Sequence, residues 1–166
     1  LQHNSGLWCY LQDPTSPFWE VMEYYHRPEK LMEYMLGWPL DFEPGTQYKY
    51  TNSGYVLLGI LIEKISGKTL EHFLEENIFN PLNMRNTFYD PLELKLNNKT
   101  AIGYDNFYQA PPTIAKKLNV SITYASGGIK SNIEDLYTWC CSLQRSQLLP
   151  KKILDKMFTP GLGNYG

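Results

Sequence analysis

The sequence predicts a mostly helical fold, a helical subdomain that carries a few short strands. Two stretches, one after Asn52 and one after Ser131, repeat apolar residues at intervals of three and four, the period of a helix with one buried face. Between them, residues 89–123 hold prolines, paired asparagines and a glycine, which favour loops and short strands. The sequence contains no internal repeat, so a solenoid is excluded.

Two short helices are predicted to precede the first of these stretches. Pro17 suits the first position of a helix that ends near His26, because the apolar residues after it recur at helical spacing. Pro28 opens a second helix, which Gly37 and Pro39 stop.

The helix after Asn52 has the clearest boundaries. Asn52 or Ser53 can cap its start, and Gly67 can take the left-handed conformation that ends it. A further helix is predicted to begin near Thr69 and to end at Pro81.

A capping box predicts the start of the helix after residue 130. Ser131 and Glu134 are spaced so that each side chain can bond the backbone amide of the other. A last short helix is predicted from Pro150. The helix after residue 130 is expected to bury Ile133, Leu136, Tyr137, Cys140 and Leu143 on one face.

Length and composition bound the class of protein. With 166 residues, 43% of them hydrophobic, the chain suffices for one domain or a piece of one. The net charge is -2 and the lysines and arginines are scattered, which argues against nucleic acid and anionic membranes as partners. No apolar run reaches the roughly 18 residues of a membrane-spanning segment. The chain starts without Met and stops in a glycine-rich phrase, so we expect both ends to lie within a longer protein.

Cysteine and histidine spacing predicts neither a disulfide framework nor a metal site. The three cysteines make an odd count, and the neighbours Cys140 and Cys141 point in different directions on a helix. His3, His26 and His72 are too dispersed for a zinc-binding helix. We therefore expect no metal ion and no cofactor.

Tyr50 and Asn52 are the leading candidate site residues. A turn at Pro44-Gly45 precedes them, and residues two apart in an extended segment point the same way, so both side chains can reach one cleft. There a phenol can handle a proton while an amide orients a substrate. The local pattern equally allows Tyr50 to be a core or strand residue and Asn52 an ordinary helix cap.

Four phrases in and around this segment share their order with a known family. They are His3-Asn4-Ser5-Gly6-Leu7, then Pro44-Gly45-Thr46 with Tyr50-Thr51-Asn52-Ser53-Gly54-Tyr55, then Ile78-Phe79-Asn80-Pro81-Leu82-Asn83-Met84, then Ala125-Ser126-Gly127-Gly128-Ile129 with Asp135-Leu136. Together they resemble the serine β-lactamase and penicillin-binding-protein superfamily, most closely its class C β-lactamase and esterase-like branch.

The resemblance implies a mostly α fragment of the α/β serine β-lactamase/transpeptidase-like fold, with residues 1–166 as a single partial domain. In that family an upstream Ser-x-x-Lys supplies the nucleophile, and a downstream Lys-Thr-Gly or His-x-Gly strand lines the opposite wall. No serine of this chain has a lysine three positions on, and neither strand phrase occurs. Both parts are expected outside the chain, and the isolated chain is expected to be inactive.

The resemblance also implies roles for particular residues. Tyr50 is the catalytic group that moves a proton between the serine and the leaving group. Asn52 binds the substrate's acyl side chain, and Gly127 and Gly128 let the backbone approach the cleft, unless they form a structural turn only. The implied substrate of the bacterial parent is a small molecule or a peptide: a β-lactam, a D-alanyl peptide, a D-amino-acid amide or an ester, opened through a serine acyl-enzyme.

Other interpretations stay open. A non-catalytic homologue would use the same cleft to bind peptidoglycan fragments or a peptide, and the chain could also be a complete interaction domain. His3 and Ser5 are interpreted as a structural segment beside the site, and Trp8 as a candidate lining of a substrate gutter. A truncated apolar face is expected to favour self-association. The localisation is open, and an exported or cell-envelope parent is compatible with the resemblance.

Overall fold

The computed structural model describes residues 2–12, 20, 22–106, 108 and 111–165. Short antiparallel strand pairs join Phe88–Tyr89 with Ile129–Lys130 and Tyr104–Asp105 with Thr113–Ile114. The predicted fold class, mostly helical with a few short strands, is confirmed. The helices are α1 Pro28–Met35, α2 Ser53–Ser66, α3 Leu70–Leu74, α4 Ile133–Gln144 and α5 Lys151–Met157, and the strands are β1 Phe88–Tyr89, β2 Tyr104–Asp105, β3 Thr113–Ile114 and β4 Ile129–Lys130.

Turns of other helical types complete the fold. Helix α3 continues directly into a π-helical turn, Glu75–Phe79, and 3-10 turns span Val120–Ile122, Tyr124–Ser126 and Leu162–Asn164. None of the helices in the described part of the chain is long and apolar enough to cross a membrane.

The helix predicted between Pro17 and His26 lies largely outside the described residues. Its described end, residues 22–26, is a turn followed by irregular chain. The backbone there bonds to a distant segment instead of to itself: Asn119 N donates to Met22 O over 2.9 Å, and His26 N donates to Ser121 Oγ over 2.9 Å. Tertiary hydrogen bonds therefore override the helical period at this end.

Helix α2 has the predicted boundaries and forms the centre of the core. Asn52 is its N-cap residue, and Gly67 ends it at a φ of 68°. Val56 is fully buried on its inner face, next to Gly59, which lies against the turn Tyr124–Ser126. The core cluster joins Tyr10, Leu31, Val56, Leu70, Tyr89, Ile122 and Tyr124.

The start of α4 differs from the prediction. The cap is Asn132, whose side chain accepts from Asp135 N over 2.9 Å. The Ser131 hydroxyl instead bonds Thr87 Oγ1 over 2.7 Å, because Asp135 Oδ2 draws Thr87 to the helix with a 2.8 Å hydrogen bond. The prediction of a capping box between Ser131 and Glu134 is therefore wrong, and the cap residue lies one position later.

The predicted buried face of α4 is also wrong. Ile133 is 77% exposed and Tyr137 is 70% exposed, while Asp135 and Ser142 point inward. The hydrogen bonds of Asp135 turn its side of the helix inward, so four of the five predicted residues are exposed and Leu143 is partly buried.

Candidate active site

The candidate site lies where the N-terminal segment runs beside the chain that leads to α2. Three backbone bonds join the two segments: Asp41 N donates to Gly6 O over 2.8 Å, Gly45 N to Asn4 O over 2.7 Å, and Lys49 N to His3 O over 2.9 Å. Gly6 makes this approach possible, because a Cβ built at its φ of +71° would lie 2.2 Å from Phe42 O.

The two leading candidates meet at the end of this paired segment. The Tyr50 hydroxyl donates to Asn52 Oδ1 over 3.2 Å, and the Tyr50 side chain is 44% exposed. Asn52 begins α2 with its backbone, but its side chain makes no capping hydrogen bond. The side-chain amide is turned toward Tyr50 instead. Tyr50 is therefore not in the core, and Asn52 is the N-cap residue by its backbone only.

Cys9 supports Asn52 from behind. Its buried sulfur accepts from Asn52 N over 3.4 Å and from Asn52 Nδ2 over 3.7 Å. Because a thiol sulfur is a weak acceptor and the amide has two N–H groups, Asn52 keeps donor capacity toward the open side.

The hydroxyl residues beside the pair are committed to structure. Ser53 is fully buried, and its Oγ donates to Trp8 O over 2.6 Å and accepts from Tyr10 N over 3.4 Å. Thr51 Oγ1 is likewise buried and accepts from Ser53 N over 3.2 Å. Neither hydroxyl is available as a nucleophile on the exposed face.

An aromatic cluster lies beneath Tyr50. The His3 ring lies 4.4 Å from the Tyr50 ring at an interplanar angle of 34°, and its centroid lies 5.3 Å from that of Tyr55. Tyr165 approaches His3 edge-on at 4.7 Å, and Tyr48 approaches at 6.1 Å. Burial, and then the neighbouring Tyr165 phenol, raise the pKa of Tyr55 above its ordinary value.

The C-terminal segment closes this cluster. Gln2 Nε2 donates to Thr159 O over 3.2 Å, which ties the two ends of the described chain together. Gly163 adopts a φ of +70°, and a Cβ there would lie 2.6 Å from Tyr48 Cγ. This glycine therefore allows residues 163–165 to lie against Tyr48, with Tyr165 next to His3.

The positive charge nearest Tyr50 in sequence is already paired. Lys49 Nζ lies 2.7 Å from Asp41 Oδ2. Among the residues that the structure describes, no group of three or more His, Cys, Asp and Glu side chains could hold a metal ion.

Gly127 and Gly128 lie on a different groove. It has a volume of about 770 Å³ and is lined mainly by apolar residues of α2 and α3, without Tyr50 or Asn52. Gly128 has a φ of +83°, and an added Cβ would lie 3.0 Å from Thr123 Oγ1, so a tight turn requires this glycine. The structure thus accounts for Gly128 by its turn, and the contact of both glycines with substrate stays a prediction.

Trp8 forms part of an aromatic pair. Its ring stacks on Trp38 at 4.5 Å with an interplanar angle of 10°, and Trp38 is about half exposed. The pair offers a flat apolar surface, and its role as a substrate gutter stays a prediction.

Comparison with known proteins identifies the family. The sequence profile of the Beta-lactamase family matches residues 1–165. The chain belongs to the β-lactamase family. It is 37% identical over 98 residues to the N-acetylmuramyl-L-alanine amidase of Bacillus subtilis (strain 168), covering 56% of this chain and 21% of that protein. It is 33% identical over 96 residues to the lovastatin esterase of Penicillium rubens, covering 55% of this chain and 23% of that protein.

Solved structures of other proteins share the fold. The D-stereospecific amidohydrolase from a Streptomyces species superposes with a TM-score of 0.85 at 31% identity, covering 97% of this chain and 50% of that chain. The penicillin-binding protein from Bacillus halodurans superposes with a TM-score of 0.83 at 28% identity, covering 100% of this chain and 52% of that chain. The β-lactamase-family chain described here therefore spans about half the length of these structures. The resemblance carried by the four phrases is confirmed.

Two contacts of the candidate site are not predicted by the sequence. Tyr165 lies in a glycine-rich phrase whose pattern predicts no partner for it, and only Gly163 indicates an unusual backbone there. His3 is predicted to be structural, yet its ring is the nearest aromatic neighbour of Tyr50 among the ring contacts of the described residues.

Proposed function

We propose that the full protein is a serine hydrolase that opens an amide or ester bond through a serine acyl-enzyme. This chain would supply one wall of the active site, and the nucleophile would lie outside it. The observation that carries the proposal is the 3.2 Å hydrogen bond from the exposed Tyr50 hydroxyl to Asn52 Oδ1, at the start of α2 in a chain of this family.

Tyr50 would carry the proton through both halves of the reaction. As the serine oxygen attacks the carbonyl, the phenolate form of Tyr50 takes the serine proton, and the resulting phenol then protonates the departing amine or alkoxide. In the second half, water replaces the leaving group and the same transfers run in reverse. A phenol has an unperturbed pKa of about 10, so the transfer needs a nearby cation or a concerted step.

The cation would come from elsewhere in the protein. Lys49 is held by Asp41 at 2.7 Å and does not serve this purpose. The lysine of a Ser-x-x-Lys pair would fit the requirement, since it would approach the exposed side of Tyr50 together with the nucleophile.

Asn52 would orient the substrate. Because its Oδ1 accepts from Tyr50, its Nδ2 is the donor end, and only the weak sulfur acceptor of Cys9 lies behind it. The remaining N–H would donate to a carbonyl oxygen of the acyl group. Asn52 would then hold both the Tyr50 phenol and the substrate in one fixed geometry.

The names of the relatives indicate the substrate class only broadly. One relative is named an amidase, another an esterase, and a third an amidohydrolase. All three names are compatible with attack of a nucleophile on an acyl carbon. We propose that amide or ester substrates, including β-lactams and D-alanyl peptides, are the class to test.

Steady-state kinetics of the full-length protein test this proposal, with nitrocefin, a D-amino-acid anilide and p-nitrophenyl acetate as substrates. Tyr50→Phe is expected to lower kcat by about a hundredfold to ten-thousandfold, the range for loss of a general acid–base group. Asn52→Ala is expected mainly to raise KM. His72→Phe, at an exposed position on α3, serves as the control and is expected to keep wild-type activity.

Two results would count against the proposal. Turnover that is unchanged in Tyr50→Phe would remove the catalytic role of the phenol. Binding of peptidoglycan fragments without turnover of any substrate would instead support a non-catalytic recognition domain.

A further inference from the structure

His3 holds the backbone on both sides of Tyr50. Its carbonyl oxygen accepts from Lys49 N over 2.9 Å, and its ring Nδ1 accepts from Thr51 N over 3.2 Å. One residue therefore fixes the amide before Tyr50 and the amide after it. The backbone of His3 adopts a φ of 53°, an uncommon conformation for a residue other than glycine.

The His3 side chain also supports the phenol ring directly. It is 5% exposed, and its ring lies 4.4 Å below that of Tyr50. Tyr55 and Tyr165 close two other sides of the imidazole at 5.3 and 4.7 Å. The ring is thus enclosed, and a change at His3 would alter the support beneath Tyr50.

The hydrogen bond at Nδ1 defines the protonation state. Because Nδ1 accepts an amide proton, the neutral ring carries its own proton on Nε2. Nε2 is buried and has no hydrogen-bond partner within the described ranges. A second proton on Nδ1 would face the Thr51 amide proton, and burial lowers the pKa of His3 below its ordinary value.

The titratable side chains in contact with the ring are phenols. They belong to Tyr48, Tyr50, Tyr55 and Tyr165, and within the part of the chain that the structure describes no carboxylate pairs with the ring. A neutral imidazole with a buried proton is suited to holding its neighbours and unsuited to exchanging protons with a substrate.

We propose that His3 is the positioning residue of Tyr50: it sets the height and tilt of the phenol that meets Asn52, and it takes no part in proton transfer. The inference rests on the proposed function, because it gives Tyr50 a catalytic role. It also replaces the purely structural interpretation of the His3-Asn4-Ser5-Gly6-Leu7 phrase.

The first test is nitrogen-15 NMR of histidine-labelled full-length protein, with the His3 signals assigned by their loss in His3→Phe. The expected spectrum shows a single neutral tautomer with the proton on Nε2, and a titration midpoint below the ordinary value of 6.5. A ring that exchanges between tautomers and titrates near 6.5 would overturn the inference.

The second test is a double-mutant cycle on the full-length enzyme. His3→Phe keeps an aromatic ring under Tyr50 but removes the Nδ1 acceptor. It is expected to lower kcat by about tenfold to a hundredfold with little change in KM, as for a misplaced catalytic group. In a Tyr50→Phe background the same change should cost almost nothing more, since His3 acts through Tyr50. A full additive loss would overturn the inference.

A conservative variant separates positioning from folding. His3→Asn offers an oxygen close to the place of Nδ1 and is expected to retain more of kcat than His3→Ala. Equal losses in the two variants, both with native circular dichroism, would overturn the inference. The outcomes also separate the two proposals. If Tyr50→Phe is inactive while His3→Phe and His3→Ala are fully active, only the role of His3 is overturned. If the wild-type protein turns over no substrate, the proposed function is overturned.

Discussion

Gly59 of α2 and Ala125 approach so closely that a Cβ on Gly59 would lie 2.4 Å from the Ala125 Cβ. The same added atom would lie 2.6 Å from Tyr124 Cε1. This contact holds the turn that carries Gly127 and Gly128 against the helix that begins at Asn52. The glycine in the middle of α2 is therefore a packing requirement, despite its cost to the helix.

Gly59→Ala is expected to destabilise the protein by about 1–3 kcal/mol, because the methyl group overpacks a closed contact. Chemical denaturation measures the change in the free energy of unfolding. Gly54→Ala in the same helix is the matched control, since the nearest atom to its added Cβ is Ser5 Oγ at 4.0 Å. That change should be neutral or stabilising by about 0.5–1 kcal/mol. Equal effects at the two positions would contradict the packing argument.

Asp135→Ala is expected to lower the free energy of unfolding by about 1–3 kcal/mol, because it removes the acceptor of the buried Thr87 hydroxyl and of the part-buried Asn86 amide. The carboxylate accepts from Asn86 N and Thr87 Oγ1, each over 2.8 Å. Glu134→Ala, at the exposed neighbouring position, should stay within about 0.5 kcal/mol of wild type. A larger loss at Glu134 would restore the capping box that the structure replaces with Asn132.

The lowered pKa of His3 makes the free energy of unfolding depend on pH. Its folded-state pKa is lowered by burial, so below the unfolded value of 6.5 the unfolded chain binds more protons than the folded one. This contribution to stability is therefore present near neutrality and is lost as the pH falls below 6.5. Urea midpoints across this window should fall less steeply for His3→Phe than for wild type, and parallel curves would contradict the prediction.

The isolated chain is expected to self-associate or to bind a hydrophobic dye, because apolar side chains of α2 face outward. Leu61 is 51% exposed and Ile65 is 78% exposed, and both line the groove of about 770 Å³. Changing both to Ser should reduce dye fluorescence, while Leu94→Ser, at an exposed position outside the groove, should not. A monodisperse wild-type monomer that binds no dye would contradict this expectation.

The sequence predicted the parts of the fold in which local and tertiary preferences agree. Helix α2 is the clearest case, because the backbone of Asn52 and the left-handed Gly67 define its ends whatever packs on it. The start of α4 differed because Ser131 bonds Thr87, a partner that no local spacing indicates. The order of the four phrases also singles out Tyr50 and Asn52, whose side chains are in contact in the structure, and their roles in a reaction stay a prediction.

The rest of the site depends on contacts between distant parts of the chain. His3 meets Tyr165 only through the pairing of the two ends of the described chain, so no periodicity could reveal the contact. The same holds for the backbone of Met22, which bonds Asn119 instead of continuing a helix.

Intact-mass spectrometry of the full-length protein tests the central claim most directly. After brief incubation with a slowly deacylated ester or β-lactam, the account predicts a mass increase of one acyl group. Peptide mapping should place it on a serine outside residues 1–166, and Tyr50→Phe should slow its formation by about a hundredfold or more. Turnover without any covalent adduct, or an adduct within residues 1–166 that forms equally fast in Tyr50→Phe, would contradict the account.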